Sequence, residues 1–167
     1  MKDFFHLKDA EPVKAILAEI SFLGGLSDEQ LDRMYGYFEV GRFRQGEFVE
    51  QKGEDPSCIF IIQRGSIDLL IEEDGESVVK RTFRVGECFG EVAMLAMIND
   101  TASFVAAEDS ELLVFTRRAL NLLHKESPEL FSHLILNLAR EIARKLQYTD
   151  HMLLKLGLDS RKPTAQG

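Results

Sequence analysis

Several residue types are scarce in this sequence, and each scarcity excludes a class of protein. Tryptophan is absent, and cysteine occurs only at Cys58 and Cys88. Two cysteines cannot staple a chain of 167 residues, so both are predicted to be buried, reduced thiols. The four histidines show no metal-ligand spacing with the cysteines, and no metal site is predicted.

Long apolar runs and dense basic runs are also missing. No segment approaches the roughly 20 apolar residues that a membrane helix needs, and the first residues lack the apolar core of a signal peptide. We therefore expect a cytoplasmic protein with no membrane partner. The net charge of −8 argues against direct DNA binding. No nucleophile–base pair is evident, so no catalytic residue and no enzyme activity are predicted.

Glycines divide the middle of the chain into short β-type segments. They recur roughly every ten residues between Val40 and Thr116, the spacing of a compact all-β sandwich or roll. Asp74 and Gly75 predict a hairpin turn, in which glycine supplies the positive φ. The segments predicted as strands are 48–49, 58–62, 67–71, 77–79, 103–107 and 111–115.

Both flanks are predicted to be helical. Apolar residues at helical spacing indicate a helical arm over residues 1–20. A second helix begins after Ser27, with Gln30 as its capping-box partner, and ends near residues 36–38. A short helix covers residues 117–125. A long one begins at Ser127-Pro128 and runs to about residue 156, where Gly157 ends it.

These elements predict a mainly β fold with α-helices. The fold class is a double-stranded β-helix, that is, a jelly-roll-like β-roll, flanked by N-terminal helices and a long C-terminal helix. The predicted boundaries are 1–38 for the N-terminal helices, 39–117 for the roll, 118–158 for the C-terminal helices and 159–167 for a polar tail.

The long C-terminal helix carries a seven-residue repeat that suits pairing with a second helix. The repeat is apolar except at Lys145 and Thr149. We expect a homodimer through this helix, or else docking of the helix on the roll of its own subunit. The residues expected at the dimer interface are Phe131, Ile135, Leu138 and Ile142.

A glycine-bounded turn at residues 86–95 runs directly into a helix start. Gly86 and Gly90 allow a tight turn and close approach to a ligand. The amides of Gly90, Glu91 and Val92 would point from a helix N-terminus, where an anion is welcome. The Glu91 carboxylate could accept hydrogen bonds from a sugar hydroxyl.

The order of these elements resembles the cyclic-nucleotide-binding domain family, found in catabolite-activator-like regulators, cyclic-nucleotide-gated channels and kinase regulatory subunits. The resemblance implies that residues 86–103 form a phosphate-binding cassette. Gly90 and the amides after it would bind the cyclic phosphate of cAMP or cGMP, and Glu91 the ribose 2′-hydroxyl. Matching residues are Phe22, Leu23, Leu26, Ser27, Arg42, Phe43, Gly46, Glu47, Gly53, 59–62, Gly65, Ser66, Gly75, Gly86, 89–95, Ala102, Val105 and Ala106.

The resemblance also implies a wider set of ligand contacts. Ser103 would offer a hydroxyl or backbone contact, and a polar residue of the long helix, Thr149, would lie near the base. The implied ligand-binding residues are Phe89, Gly90, Glu91, Val92, Ala93, Asp100, Thr101, Ala102, Ser103 and Thr149.

The cassette departs from the family pattern at Asp100. Members of the family place an arginine there, within Pro-Arg-x-Ala, to pair with the phosphate, whereas this chain has Asn99-Asp100. No lysine or arginine occurs between Val85 and Thr116. The exchange of a cation for an anion predicts weak or absent cAMP and cGMP binding. A cation that replaces the missing arginine would have to come from Arg42, Arg44, Lys145 or a partner subunit.

Three functions follow from these features. The first is a stand-alone, non-catalytic regulatory sensor, in which a ligand in the roll moves the C-terminal helices. The second is a ligand-free dimeric module of the same fold that interacts with an unknown protein partner. The third is a sensor of a different small ligand, cationic or neutral, that suits an acidic cassette.

Overall fold

Strands fill the middle of the chain and helices flank them in the computed structural model, which describes residues 4–6, 23–99 and 101–159. The strands are β1 (Phe5–His6), β2 (Phe38–Phe43), β3 (Phe48–Glu50), β4 (Cys58–Arg64), β5 (Ile67–Glu73), β6 (Glu76–Phe83), β7 (Cys88–Phe89), β8 (Ser103–Ala106) and β9 (Ser110–Thr116). The helices are α1 (Asp28–Tyr35), α2 (Glu91–Ala96), α3 (Arg117–Glu126) and α4 (Pro128–Asp159). The predicted mainly β fold class with a long C-terminal helix is confirmed.

Two antiparallel sheets make up the roll. One has the order β1-β2-β9-β4-β7 and the other the order β3-β8-β5-β6. The predicted hairpin at Asp74-Gly75 joins β5 to β6, and both turn residues have positive φ values of 52° and 85°. Five of the six predicted strand segments fall wholly within strands, and the segment 103–107 extends one residue past the end of β8. β1, β2 and β7 lie outside those segments.

The N-terminal expectations are only partly tested. Phe5 and His6 pair antiparallel with Val40 and Glu39, so a helical arm is wrong for these two residues. Residues 1–3 and 7–20 of the predicted arm lie outside the described residues. The predicted capping box at Ser27 is confirmed, because the Ser27 Oγ accepts from the Gln30 amide at 3.3 Å and the Gln30 side chain accepts from the Ser27 amide at 2.9 Å.

Strand β4 has apolar residues on both faces because each face meets a different layer. Phe60 and Ile62 belong to the cluster between the two sheets, together with residues such as Val49 and Phe104. Ile59 and Ile61 belong to a second cluster, between this sheet and the helices. The second cluster includes residues of α1, α3 and α4, and so fixes the helical layer on the roll.

Helix α4 is longer than predicted. It begins at Pro128, as expected, but continues through Gly157 to Asp159, so the expectation that Gly157 ends it was wrong. Its 32 residues span about 48 Å at the usual rise per residue. Its first half reaches the helical cluster through Leu130, Leu134 and Leu138. This packing places the middle of α4 beside the predicted cassette, where Lys145 lines the same pocket as the cassette residues.

Candidate functional site

A pocket of about 260 Å³ lies where the cassette, the second sheet and α4 meet. Its walls come from the turn and first residues of α2, from β5, β6 and β8, and from one side chain of α4. The pocket is thus formed by segments that lie far apart along the chain.

The turn before α2 requires glycine at position 90. Gly90 has a φ of 87°, in the left-handed region that other residues rarely adopt. A Cβ atom there would lie 2.5 Å from the Cys58 carbonyl oxygen, so the neighbouring strand leaves no space for a side chain. The tight turn predicted at Gly90 is therefore confirmed, whereas the close approach to a ligand stays a prediction.

Aromatic rings form one side of the pocket. Phe89 stacks on Phe104, with ring centroids 4.5 Å apart, and on Phe60 at 5.1 Å. Phe83 lies 5.4 Å from Phe89 in a tilted arrangement. Phe83, Phe89 and Phe104 all contribute to the pocket wall and belong to the cluster between the sheets. This wall is rigid and apolar, and it suits the flat or apolar part of a ligand.

The Glu91 carboxylate is the buried charge of the pocket. Only 2% of the residue is exposed. The ammonium of Lys145, which reaches down from α4, lies 2.5 Å from the Glu91 Oε1 atom and 3.5 Å from the Cys88 carbonyl oxygen. A buried carboxylate without a partner costs roughly several kcal/mol. The cassette has no cation of its own, so Lys145 neutralises the charge of Glu91.

The Cys88 thiol lies beside this ion pair and is chemically quiet. Burial raises its pKa to about 12, and the nearby Glu91 carboxylate adds to the shift. The thiolate is the nucleophilic form of cysteine, so this thiol is unreactive at neutral pH. Both cysteines are buried and unbridged, which agrees with the prediction from their number.

A second cation, Arg81 on β6, also lines the pocket. Its guanidinium lies 4.3 Å from the centroid of the Phe83 ring and donates to the Glu87 carboxylate at 2.6 Å. Strand pairing explains its position, because Arg81 lies opposite Leu69 on β5, and Leu69 lies opposite Phe104 on β8. Sequence reasoning missed Arg81. The available signal was its i, i+2 spacing from Phe83, which places both on one face of β6.

Most residues implied by the family resemblance line this one pocket. They are Phe89, Gly90, Glu91, Val92, Ala93, Thr101 and Ala102. The Ser103 hydroxyl instead accepts a hydrogen bond from the Lys52 amide at 3.0 Å. Thr149 is exposed, and its hydroxyl donates to the Lys145 carbonyl oxygen within α4. Asp100 lies outside the described residues, although its neighbours Asn99 and Thr101 both line the pocket.

Of the cations considered from the sequence as substitutes for the missing arginine, only one reaches the pocket. Arg42 pairs with Glu111 at 2.7 Å, and Arg42 and Arg44 border a different surface depression. Lys145 is the one that lies against Glu91. The helical repeat marked Lys145 only as a polar position in an apolar stripe, because a contact across 54 residues depends on how α4 docks.

The described residues contain neither a candidate metal site nor a candidate membrane-spanning helix. No cluster of His, Cys, Asp and Glu in residues 4–6, 23–99 and 101–159 could hold a metal ion. No helix in this part of the chain is both long enough and apolar enough to cross a membrane.

Known proteins resemble this chain in sequence and in fold. The cyclic AMP receptor protein of Thermus thermophilus is 32% identical over 129 residues, which cover 75% of this chain and 57% of that protein. A cyclic nucleotide-binding domain from Methylobacillus flagellatus matches in structure with a TM-score of 0.76 and 22% identity, over 92% of this chain and 89% of that one. The last match shows the fold alone.

A third relative differs in what its description says it binds. It is the regulatory subunit of a cAMP-independent protein kinase A from Trypanosoma cruzi, bound to guanosine. Its structure matches with a TM-score of 0.67 and 25% identity, over 88% of this chain and 50% of that one. The chain thus spans only about half the length of this relative and of the Thermus protein.

A family model gives the assignment directly. The model described as "Cyclic nucleotide-binding domain" matches residues 40–127, just over half of the chain. This range contains the whole roll from β3 to β9, the cassette and α3. The chain belongs to the cyclic nucleotide-binding domain family.

Proposed function

We propose that this chain is a non-catalytic regulatory domain that senses a small ligand in the cassette pocket and reports it through α4. The ion pair between Glu91 and Lys145 carries this proposal. In this proposal a ligand hydroxyl takes the place of the Lys145 ammonium at the Glu91 Oε1 atom. The free and the bound states therefore differ in how α4 is held, which is the differential contact that a population shift needs.

In this proposal cAMP and cGMP bind weakly or not at all. The pocket is built for a sugar hydroxyl at Glu91, but Asp100 stands in the sequence where the family pattern has the phosphate-binding arginine. A cyclic phosphate held near Asp100 would meet a like charge instead of a charge-assisted hydrogen bond. Losing such a pair costs about 2–5 kcal/mol, or several powers of ten in affinity.

One relative supports a ligand with a sugar and without a cyclic phosphate. The Thermus relative is named for cyclic AMP, whereas the Trypanosoma relative is described as cAMP-independent and bound to guanosine. A nucleoside keeps the hydroxyls that Glu91 can accept and the flat base that suits the wall of Phe83, Phe89 and Phe104. It lacks the group that Asp100 would repel.

Thermal unfolding with millimolar cAMP and cGMP tests the weak-binding part. A ligand at a hundredfold excess over its Kd stabilises the folded state by about 2.7 kcal/mol, which raises the Tm by roughly 5–10 °C for a chain of this size. We expect little or no shift with either cyclic nucleotide. A shift of several degrees at micromolar concentration would contradict the role given to Asp100.

A ligand-free dimeric module is the second candidate, and two observations favour it. Glu91 already has a partner in Lys145, so the pocket is electrostatically satisfied without a ligand. Helix α4 also exposes a stripe of apolar side chains along one face, at steps of three, four and seven residues. The apolar members of this exposed stripe are Leu136, Ala139, Ala143, Leu146 and Leu153.

The residues expected from the sequence at a dimer interface lie mostly elsewhere. Leu138 is fully buried in the helical cluster of its own chain, and Phe131 and Ile135 pack against that cluster. Ile142 is half-buried. Dimerisation stays a prediction, and we now assign it to the exposed stripe with a second copy of this chain as the partner.

Sedimentation of the purified chain tests this second candidate. We expect a dimer at tens of micromolar for the wild type and a monomer for Leu146→Asp/Leu153→Asp. The control is Leu122→Asp, which adds one of the two negative charges at an exposed leucine of α3. A monomeric wild type, or a dimer that the double variant leaves intact, would remove the idea. Truncation at Ser127 is unsuitable, because it would strip Leu130, Leu134 and Leu138 from the core.

A further inference from the structure

A groove between β6 and α4 gathers four basic side chains beside the cassette pocket. Lys80 and Arg81 come from β6, and Arg144 and Lys145 from α4. The groove has a volume of about 800 Å³, and Glu141 is the acid among the described residues that line it. Each of the four cations has a carboxylate partner: Glu73 for Lys80, Glu87 for Arg81, Glu141 for Arg144 and Glu91 for Lys145. A ligand anion therefore binds here by exchanging with these carboxylates.

Arg81 and Lys145 also line the cassette pocket, so they lie where the pocket and the groove meet. Among the described residues of the pocket wall they are the basic side chains. The sequence between Val85 and Thr116 has neither lysine nor arginine. An anionic group on a ligand in this pocket therefore finds positive charge at its junction with the groove, and not within the cassette.

We propose that Arg81 and Lys145 form an anion subsite for a phosphate monoester whose sugar hydroxyl binds Glu91. This inference rests on the proposed function, because it names the class of ligand that the same pocket takes. The ligand differs from a cyclic nucleotide in geometry, since its phosphate is open-chain and extends away from the ring. It can reach the groove, whereas a cyclic phosphate is tied to the sugar and stays against the cassette.

The present ion pairs allow this exchange of partners. Arg81 donates to Glu87 at 2.6 Å, and both side chains are substantially exposed. Exposed ion pairs contribute little, so a dianionic phosphate can replace the Glu87 carboxylate at small cost. Lys145 is different, because leaving Glu91 without a partner would strand a buried charge.

That asymmetry sets the chemistry of the ligand. Lys145 can turn to a phosphate only if another donor satisfies Glu91 at the same time. A molecule with both a hydroxyl and a phosphate supplies both partners, whereas inorganic phosphate supplies only one. A neutral nucleoside supplies the hydroxyl but leaves the Lys145 ammonium without an anion. A nucleoside 5′-monophosphate meets both conditions and adds a flat base for the aromatic wall.

Calorimetric titration of the full chain with four probes tests the subsite. The probes are guanosine, guanosine 5′-monophosphate, cGMP and inorganic phosphate. We expect the monophosphate to bind about ten- to hundredfold more tightly than guanosine, as charge-assisted hydrogen bonds predict. Inorganic phosphate should show no binding at the same concentrations. The advantage of the monophosphate should shrink as salt is raised.

Variants assign the effect to the two cations. Arg81→Gln and Lys145→Gln should each remove most of the difference in affinity between the monophosphate and guanosine. Arg81→Gln is the cleaner test, because Glu91 keeps its partner Lys145 in that variant. Lys125→Gln, at an exposed position at the end of α3, is the matched control and should keep the advantage.

Three outcomes would overturn the proposal. These are equal affinities for guanosine and its monophosphate, an advantage that survives both Arg81→Gln and Lys145→Gln, and no binding of the monophosphate. None of these three outcomes decides the proposed function, which has a separate test. That function fails if the Glu91→Gln/Lys145→Met variant protects α4 from hydrogen exchange as well as the wild type does, whatever the titrations give.

Discussion

The two halves of α4 differ in what holds them to the rest of the chain. In the first half, Leu130, Leu134 and Leu138 are buried in the helical cluster, and the Asn137 side chain donates to the Gly24 carbonyl oxygen at 2.8 Å. In the second half, every described side chain from residue 146 to residue 155 is exposed. Lys145 lies at the boundary and is the last contact between the helix and the roll among the hydrogen bonds and ion pairs described.

This difference separates a structural part of α4 from a responsive one. The first half is held by apolar burial, which no small ligand can exchange. Among the hydrogen bonds and ion pairs described, the second half is held to the roll by Lys145, which contacts Glu91 and the Cys88 carbonyl oxygen in the cassette pocket wall. In the proposed function, a change in this pocket acts on the second half of α4 and leaves the first half in place. Four predictions, taken from the largest expected effect to the smallest, test this division.

Leu138→Ala should lower the free energy of unfolding by about 2–5 kcal/mol, the usual cost of removing a large buried side chain. Leu138 is fully buried and contacts the cluster shared by α1, α3 and the first sheet. Urea unfolding measures the change. A loss below 0.5 kcal/mol, roughly the size of a surface effect, would mean that the first half of α4 is not part of the core.

Lys145→Met should cost about 2 kcal/mol, because it leaves the Glu91 carboxylate buried without its partner. We expect less than for a fully buried pair, since 31% of the Lys145 side chain is exposed. Glu91→Gln/Lys145→Met should recover most of the loss, because it removes both charges.

Urea unfolding of the wild type, both single variants and the double variant gives the coupling energy between the two residues. Strictly additive single effects would show that the contact between Glu91 and Lys145 contributes nothing to the folded state.

Asp100→Arg should raise the affinity for cAMP at least about tenfold, since a charge-assisted hydrogen bond contributes about 1.5–3 kcal/mol. The ribose of bound cAMP would then compete with Lys145 for Glu91 and loosen the second half of α4. Calorimetry measures the affinity, with Asp100→Asn as the control that only removes the negative charge. Equal affinities for Asp100→Arg and the wild type would mean that the cassette is wrongly aligned.

Leu153→Ala should change the free energy of unfolding by less than about 0.5 kcal/mol, as is usual for exposed positions. It removes the same atoms as Leu138→Ala, but 62% of Leu153 is exposed. The two substitutions are thus a matched pair on one helix. A loss above 1 kcal/mol for Leu153→Ala, roughly twice that limit, would show that the second half of α4 is packed in solution.

The sequence predicted the roll well because its signals are local. Glycine spacing and apolar segments located the strands from β3 to β6, β8 and β9, and Ser27 located the start of α1. β7 has two residues, too few for a period to show. The end of α4 was wrong because the helix continues through Gly157, a residue that is unfavourable in a helix but costs only about 1 kcal/mol.

The site was predictable where its residues are consecutive and not where they come from distant elements. Residues 89–93 were identified, because the turn and the start of α2 are one continuous motif. Arg81 enters through the strand register, and Lys145 enters through the docking angle of α4. Thr149, expected near the base, does not line the cassette pocket but lines the groove beside it, one turn beyond Lys145. Its contact with a ligand stays a prediction.

Amide hydrogen exchange along α4 tests most directly whether the Glu91–Lys145 pair holds its second half. The comparison is between the wild type and Glu91→Gln/Lys145→Met, in which both charges are gone and the fold is kept. We predict exchange about tenfold faster or more over residues 139–155, as loss of a contact worth ~1–2 kcal/mol implies, with β4 and β9 unchanged. Equal exchange over residues 139–155 in the two proteins would contradict the account.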